Sequence, residues 1–166
     1  SVMSRAYYRS TVSGLLAADP AAVLGTLAER AGQDGPIEPS QLDAWRLEIA
    51  LMQSCLSTLE STANDGLFFE YAVPRLGKRI DVVLVVGGVL FVIEFKVGAT
   101  AFSNHAIEQA WDYAIDLKNF HETSHDKPIC PVLVATHAPD QVIVLAQSAR
   151  QDGVFKPLCT HSAGLL

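Results

Sequence analysis

Positive charge is in short supply. Twelve Lys and Arg stand against eighteen Asp and Glu in 166 residues, a formal net charge of -6, so binding to nucleic acid through overall charge is excluded and any anionic partner must be held locally. Cysteine is sparse: Cys55, Cys130 and Cys159 are widely spaced and odd in number, which argues against a disulfide framework and for a reducing compartment. No apolar run attains the roughly 18 residues needed to span a bilayer, because Asp81, Glu94 and Lys96 interrupt the longest one. The N-terminal stretch lacks the charged-then-apolar pattern of a secretory signal, and there are neither internal repeats nor low-complexity tracts. These absences point to a soluble cytoplasmic protein. What is present, 49% hydrophobic residues in a chain of this length, suits a single domain, residues 1–166, with one core.

Along the chain, the Ala- and Leu-rich first 30 residues predict helix, broken at Pro20, and GQDGPIEPS (Gly32 to Ser40) predicts a loop. A long helix should follow, with Ser40 as N-cap, Asp43 three residues on, and an apolar stripe of Leu42, Trp45, Ile49, Met52, Leu56 and Leu59. The helical portion is thus expected over residues 1–62. The core, about 63–146, starts with the strand LFFEYAV and continues through the basic turn PRLGKR into IDVVLVVGGVLFVIEFKV, Ile80 to Val97. A second helix is expected from about His105 to His121, with a stripe of Ile107, Ala110, Trp111, Ala114 and Leu117. PICPVLVAT predicts a fourth strand, QVIVLA a fifth, and the tail from Gln147 gives no signal. Apolar residues on both faces of the central hairpin imply a sheet covered on both sides. The expected fold is an α/β three-layer sandwich, a mixed sheet of about five strands flanked by helices.

Three charges sit in that apolar hairpin, where unpartnered ionised groups are costly. If Gly87-Gly88 form a two-residue turn, paired residues have numbers summing to 175, and Asp81 falls opposite Glu94. Lys96 lies on the same face, two residues beyond. Like charges so placed destabilise a sheet unless a cation joins them. Two converging carboxylates suit Mg²⁺, which takes one or two protein carboxylates and leaves room for water and phosphate. A neighbouring lysine can orient a nucleophile or stabilise charge, so the residue types suggest phosphodiester hydrolysis.

Asp81 followed by Glu94-Phe95-Lys96 resembles the signature of the PD-(D/E)xK nucleases, which have the restriction-endonuclease-like fold. QAWDY, Gln109 to Tyr113, resembles the Gln-x-x-x-Tyr motif of the RecB-like branch, and the resemblance spans roughly Leu42 to Thr136. It implies Asp81 and Glu94 as ligands of Mg²⁺ or Mn²⁺, Lys96 as the catalytic lysine, and Gln109 and Tyr113 as a supporting helix motif. It also implies an additional acidic residue on the first core helix; Glu48 is the candidate, and Glu70 on the first strand competes for that role. The motif's Pro is missing, with Ile80 before Asp81. FFEYAVPRLGKRIDVVL, IEFKVG and QAWDYAIDLKNFH are similar to a nuclease-like domain found ahead of helicase domains in some bacterial proteins, which implies a piece of a longer chain with a motor downstream. The implied function is a metal-dependent DNase domain, with DNA as partner and a homodimer as an open possibility. Arg75, Lys78 and Arg79 form a basic cluster suited to local phosphate contact.

Other readings of the same residues stand beside this one. Lys96 or Arg79 can neutralise the carboxylates with no metal, or the domain can bind nucleic acid or regulate an attached helicase without cutting. Gln109 and Tyr113, Glu48 and Glu70, and the basic cluster can each be merely solvated or polar surface. His121, His125 and Cys130 suggest zinc, but a clear fourth ligand is lacking.

Overall fold

The computed structural model describes residues 5–59, 65–73, 76–120, 126–139 and 158–160. A strand, not a helix, comes first. β1 (Ala6–Thr11) carries AYYRST, an aromatic and β-branched stretch suited to a pleated surface, so the expectation of helix throughout the first 62 residues is corrected here. Thr11 then caps α1 (Val12–Ala17), its side chain accepting from the Gly14 N–H. Pro20 separates two helices as expected: α2 (Pro20–Gly32) opens with Pro in its first turn behind an Asp19 cap. The long helix α3 (Pro39–Leu56) is capped by Glu38 rather than Ser40, because Pro39, with its φ already helical, takes the first position. Its stripe ends at Leu56; Leu59 lies beyond the helix and is 42% exposed.

Four strands and a helix complete the central part: β2 (Gly66–Val73), β3 (Lys78–Val86), β4 (Val89–Lys96), α4 (Asn104–Phe120) and β5 (Ile129–Ala135). A three-residue β6 (Leu158–Thr160) lies in the tail that gave no sequence signal. The predicted strand QVIVLA falls outside the described residues. The sheet order is β1-β2-β3-β4-β5-β6, antiparallel from β1 to β4 and parallel from β4 to β6, hence mixed. Helices α1 to α3 pack with Leu67, Phe69, Val82, Leu84, Ile93 and Phe95 on one face. On the other, Tyr113, Ala114 and Leu117 of α4 pack with Ile80, Val83, Leu90 and Val92. The molecule is therefore the expected α/β three-layer sandwich. Among the described residues no helix is long and apolar enough to cross a membrane.

The hairpin register is as counted. Gly87 and Gly88 both have positive φ, 59° and 77°, the combination a type I′ turn requires. Pairs run from Val86–Val89 to Val82–Ile93, each summing to 175. The α4 stripe is rotated slightly from expectation: Ala106, Ala110, Tyr113, Ala114 and Leu117 are buried, and Ile107 and Trp111 are only half-buried. This rotation turns Tyr113 toward the sheet.

Candidate metal centre

One row of the sheet departs from regular alternation. Phe69–Val82 and Tyr71–Ile80 pair on either side of it, so Glu70 of β2 stands opposite Asp81 of β3. Ala6–Tyr71 and Tyr8–Phe69 bracket Tyr7 of β1 opposite Glu70 in the same way. Extending the hairpin register by one pair puts Glu94 of β4 opposite Asp81. Tyr7, Glu70, Asp81 and Glu94 thus occupy one row across four strands.

The strands change faces at that row. Leu67 and Phe69 pack under α1 to α3, whereas Tyr71 and Val73, which strict alternation would keep with them, pack toward α4. Val82 and Ile80 of β3 are divided likewise. The backbone cause is visible at Glu70, the non-glycine residue with positive φ (56°) among those described. Such a conformation costs a non-glycine residue about 1–2 kcal/mol, and strain of this kind persists only where surroundings enforce it. Here the surroundings do: the Glu70 carbonyl accepts from Arg79 Nη1 at 2.7 Å, and its Oε1 from Trp45 Nε1 at 3.1 Å.

Between Asp81 and Glu94 the side chains take over from the ladder. The Asp81 N–H donates to Glu94 Oε1 at 3.0 Å, and the Phe95 N–H donates to Asp81 Oδ2 at 2.8 Å. Lys96, beside them, donates through Nζ to Gln109 Oε1 of α4 at 3.0 Å, and Gln109 is hydrogen-bonded in turn to the Tyr113 side chain. The sequence-predicted Asp81, Glu94, Lys96, Gln109 and Tyr113 are therefore brought into one connected group.

Glu48 joins it from the opposite layer. It occupies the buried stripe of α3 between Trp45 and Ile49, only 3% exposed, and its Oε2 is buried without a hydrogen-bond partner. Burial holds its carboxyl well above the usual range, and Asp81, Glu70 and Glu94 push it further. Burial likewise raises Glu70 to about 7, with Asp81 adding to the effect and Trp45 and Arg79 opposing it. Asp81 is raised to about 6 by burial, against the Phe95 N–H, Glu94 and Lys96, which favour its charged form. Glu94, 5% exposed, is raised well above its ordinary value by burial and then by Asp81. Four carboxylates thus share one region with Lys96 as the nearest opposing charge on Asp81 and Glu94.

A cleft of about 1020 Å³ opens onto this region. Glu48, Glu70, Asp81 and Lys96 line it together with Tyr7 and Arg79; Glu94 lies just off the lining, beside Asp81. The donor set is all carboxylate oxygen, which suits a hard divalent cation, and the orphaned Glu48 Oε2 is a lone pair awaiting such a partner. Among the described residues no three His, Cys, Asp or Glu side chains are gathered as a ready-made metal-binding group; Asp81 and Glu94 each spend an oxygen on a peptide N–H instead.

No family model, curated protein or solved structure matches this chain. Its function is therefore argued from the geometry of this site.

The basic cluster is not gathered as the sequence suggested. Arg75 lies outside the described residues. Lys78 is exposed and lines a shallow groove with His105, Glu108 and Asp112 of α4, away from the cleft. Arg79 does reach the cleft, but its guanidinium lies 3.8 Å over the Tyr7 ring and its Nη1 donates to the carbonyls of Glu70 and Arg5. The zinc candidates His121 and His125 also fall outside the described residues, and Cys130 is a buried thiol pushed up to about 11. Sequence reasoning missed Tyr7, whose hydroxyl donates to Asp34 Oδ2 at 2.6 Å, and treated Trp45 as core alone; the aromatic pair in AYYRST was the available signal for the first.

Proposed function

We propose that this chain is a metal-dependent nuclease domain that hydrolyses phosphodiester bonds in DNA, with Asp81, Glu94 and Glu48 holding Mg²⁺ or Mn²⁺. The observation that carries this reading is the convergence of these carboxylates from β3, β4 and α3, with the buried Glu48 Oε2 left unpartnered. A divalent cation there would offset the negative charge and polarise a phosphodiester oxygen. Lys96 keeps two ammonium protons beyond the one given to Gln109, enough to hold an attacking water or to stabilise charge that develops on the phosphate. Gln109 and Tyr113 restrict the lysine to that position. The choice of DNA, a cytoplasmic setting, a helicase domain in the same protein and a homodimer rest on the sequence resemblance.

A second reading is favoured by one feature, the use of Asp81 and Glu94 oxygens to cap peptide N–H groups, which lets the site stand without an ion. In that case the domain binds nucleic acid or regulates a partner without cutting. Incubation of the metal-free protein with single- and double-stranded DNA in Mg²⁺, Mn²⁺ or EDTA separates the two. The nuclease reading expects cleavage in the metals and none in EDTA; DNA binding without cleavage in either metal contradicts it.

A further inference from the structure

We propose that Glu70 is a further carboxylate of the cation site, presented by a left-handed peptide that Arg79 clamps. This deepens the metal-site reading and rests on it. Glu70 stands opposite Asp81 in the register, lines the same cleft as Glu48 and Asp81, and interacts electrostatically with both. The neighbouring Glu48 Oε2, almost fully buried and unpartnered, points independently to a ligand in this space.

The clamp explains how Glu70 reaches it. A regular strand would keep Phe69 and Tyr71 on one face and Glu70 on the other. The φ of 56° breaks that alternation. Arg79 secures the irregular peptide by donating to its carbonyl at 2.7 Å, and is itself held by the Arg5 carbonyl at 3.1 Å and by the Tyr7 ring 3.8 Å beneath it. Tyr7 is fixed in turn by Asp34. Arg79 is then a positioning residue that acts through Glu70, which accounts for a cleft arginine directed at main-chain carbonyls.

Manganese titration calorimetry of the metal-free protein tests this, with Asp81→Asn as the reference for loss of the site. Glu70→Gln keeps an acceptor for Trp45 but removes the charge. It is expected to weaken Mn²⁺ binding by about tenfold or more and to raise the metal-free Tm by about 2–4 °C. Arg79→Met should also weaken Mn²⁺ binding, and the double variant should bind no more weakly than the weaker single, because one residue acts through the other. Arg79→Lys, which retains charge over Tyr7 without bridging two carbonyls, replaces Arg79→Met if circular dichroism shows that the latter does not fold. Wild-type affinity in Glu70→Gln alongside lost affinity in Asp81→Asn overturns the assignment of Glu70. Additive losses in the double variant overturn the clamp. Absence of Mn²⁺ binding by the wild type removes the metal-site reading itself, and this inference with it.

Discussion

Lys96→Met is expected to slow DNA cleavage by about 10²–10³-fold while tightening Mn²⁺ binding. The two effects have opposite signs because the ammonium plays two parts. It is a donor available to the reacting groups, and it is also a fixed positive charge whose field favours the ionised forms of Asp81 and Glu94. Removing it takes away the donor but leaves the carboxylates with no competitor for a cation. Asp81→Asn should differ: cleavage and Mn²⁺ binding are lost together, because Asp81 is the carboxylate between Glu70 and Glu94 in the row. Rates measured with saturating metal, set beside calorimetric affinities, check both variants. A Lys96→Met protein that cuts at the wild-type rate contradicts the role given to the lysine. One that loses Mn²⁺ binding contradicts the electrostatic argument.

The metal-free protein is expected to lose stability as pH rises from about 5 to 8, the reverse of ordinary acid denaturation. Glu70 and Asp81 have folded values raised to about 7 and about 6, chiefly by burial, and Glu48 and Glu94 are raised well above their usual range. For an acid whose folded value lies above its unfolded one, the native state binds more protons between the two, so the slope of stability with pH is negative there. Below about pH 4 both states are protonated and these groups contribute no slope. Between about pH 4 and 7 the unfolded carboxylates ionise first, and folding must then bury charge or take up protons. A loss of about 2–3 kcal/mol would lower Tm by roughly 5–10 °C. Saturating Mn²⁺ should abolish or invert the trend, since the cation binds the deprotonated ligands. Thermal melts at pH 5, 6.5 and 8, with Mn²⁺ and with EDTA, make the comparison; a metal-free Tm that rises with pH contradicts it.

The parts of this site governed by strict periodicity were legible in the sequence. Two adjacent glycines demand a tight turn, and strand pairing then fixes which residues meet, so Asp81 and Glu94 could be placed by counting. Glu48 was identifiable as an acidic residue on the first long helix, and the structure places it inside the buried stripe. What escaped was whatever depends on broken periodicity. Nothing in LFFEYAV announces that Glu70 adopts a positive φ, because that conformation is enforced by Arg79 and Trp45, distant in sequence. β1 escaped because the surrounding Ala- and Leu-rich sequence favours helix, whereas AYYRST gains its structure by pairing with β2, some sixty residues away. The basic turn misled for a related reason: Lys78 and Arg79 are neighbours in sequence, but successive strand residues point to opposite faces, so only Arg79 enters the cleft.

The central claim is that the carboxylates of β3, β4 and α3 form a cation site rather than a self-contained polar cluster. A crystal structure of the protein soaked in Mn²⁺, with an anomalous difference map, tests it most directly. The account predicts a peak in the cleft bonded to carboxylate oxygens of Asp81 and Glu94, with Glu48 Oε2 directed at the same ion or at water bound to it. A fully formed cleft with no peak, Asp81 and Glu94 still capping the peptide N–H groups and Glu48 still alone, would contradict it.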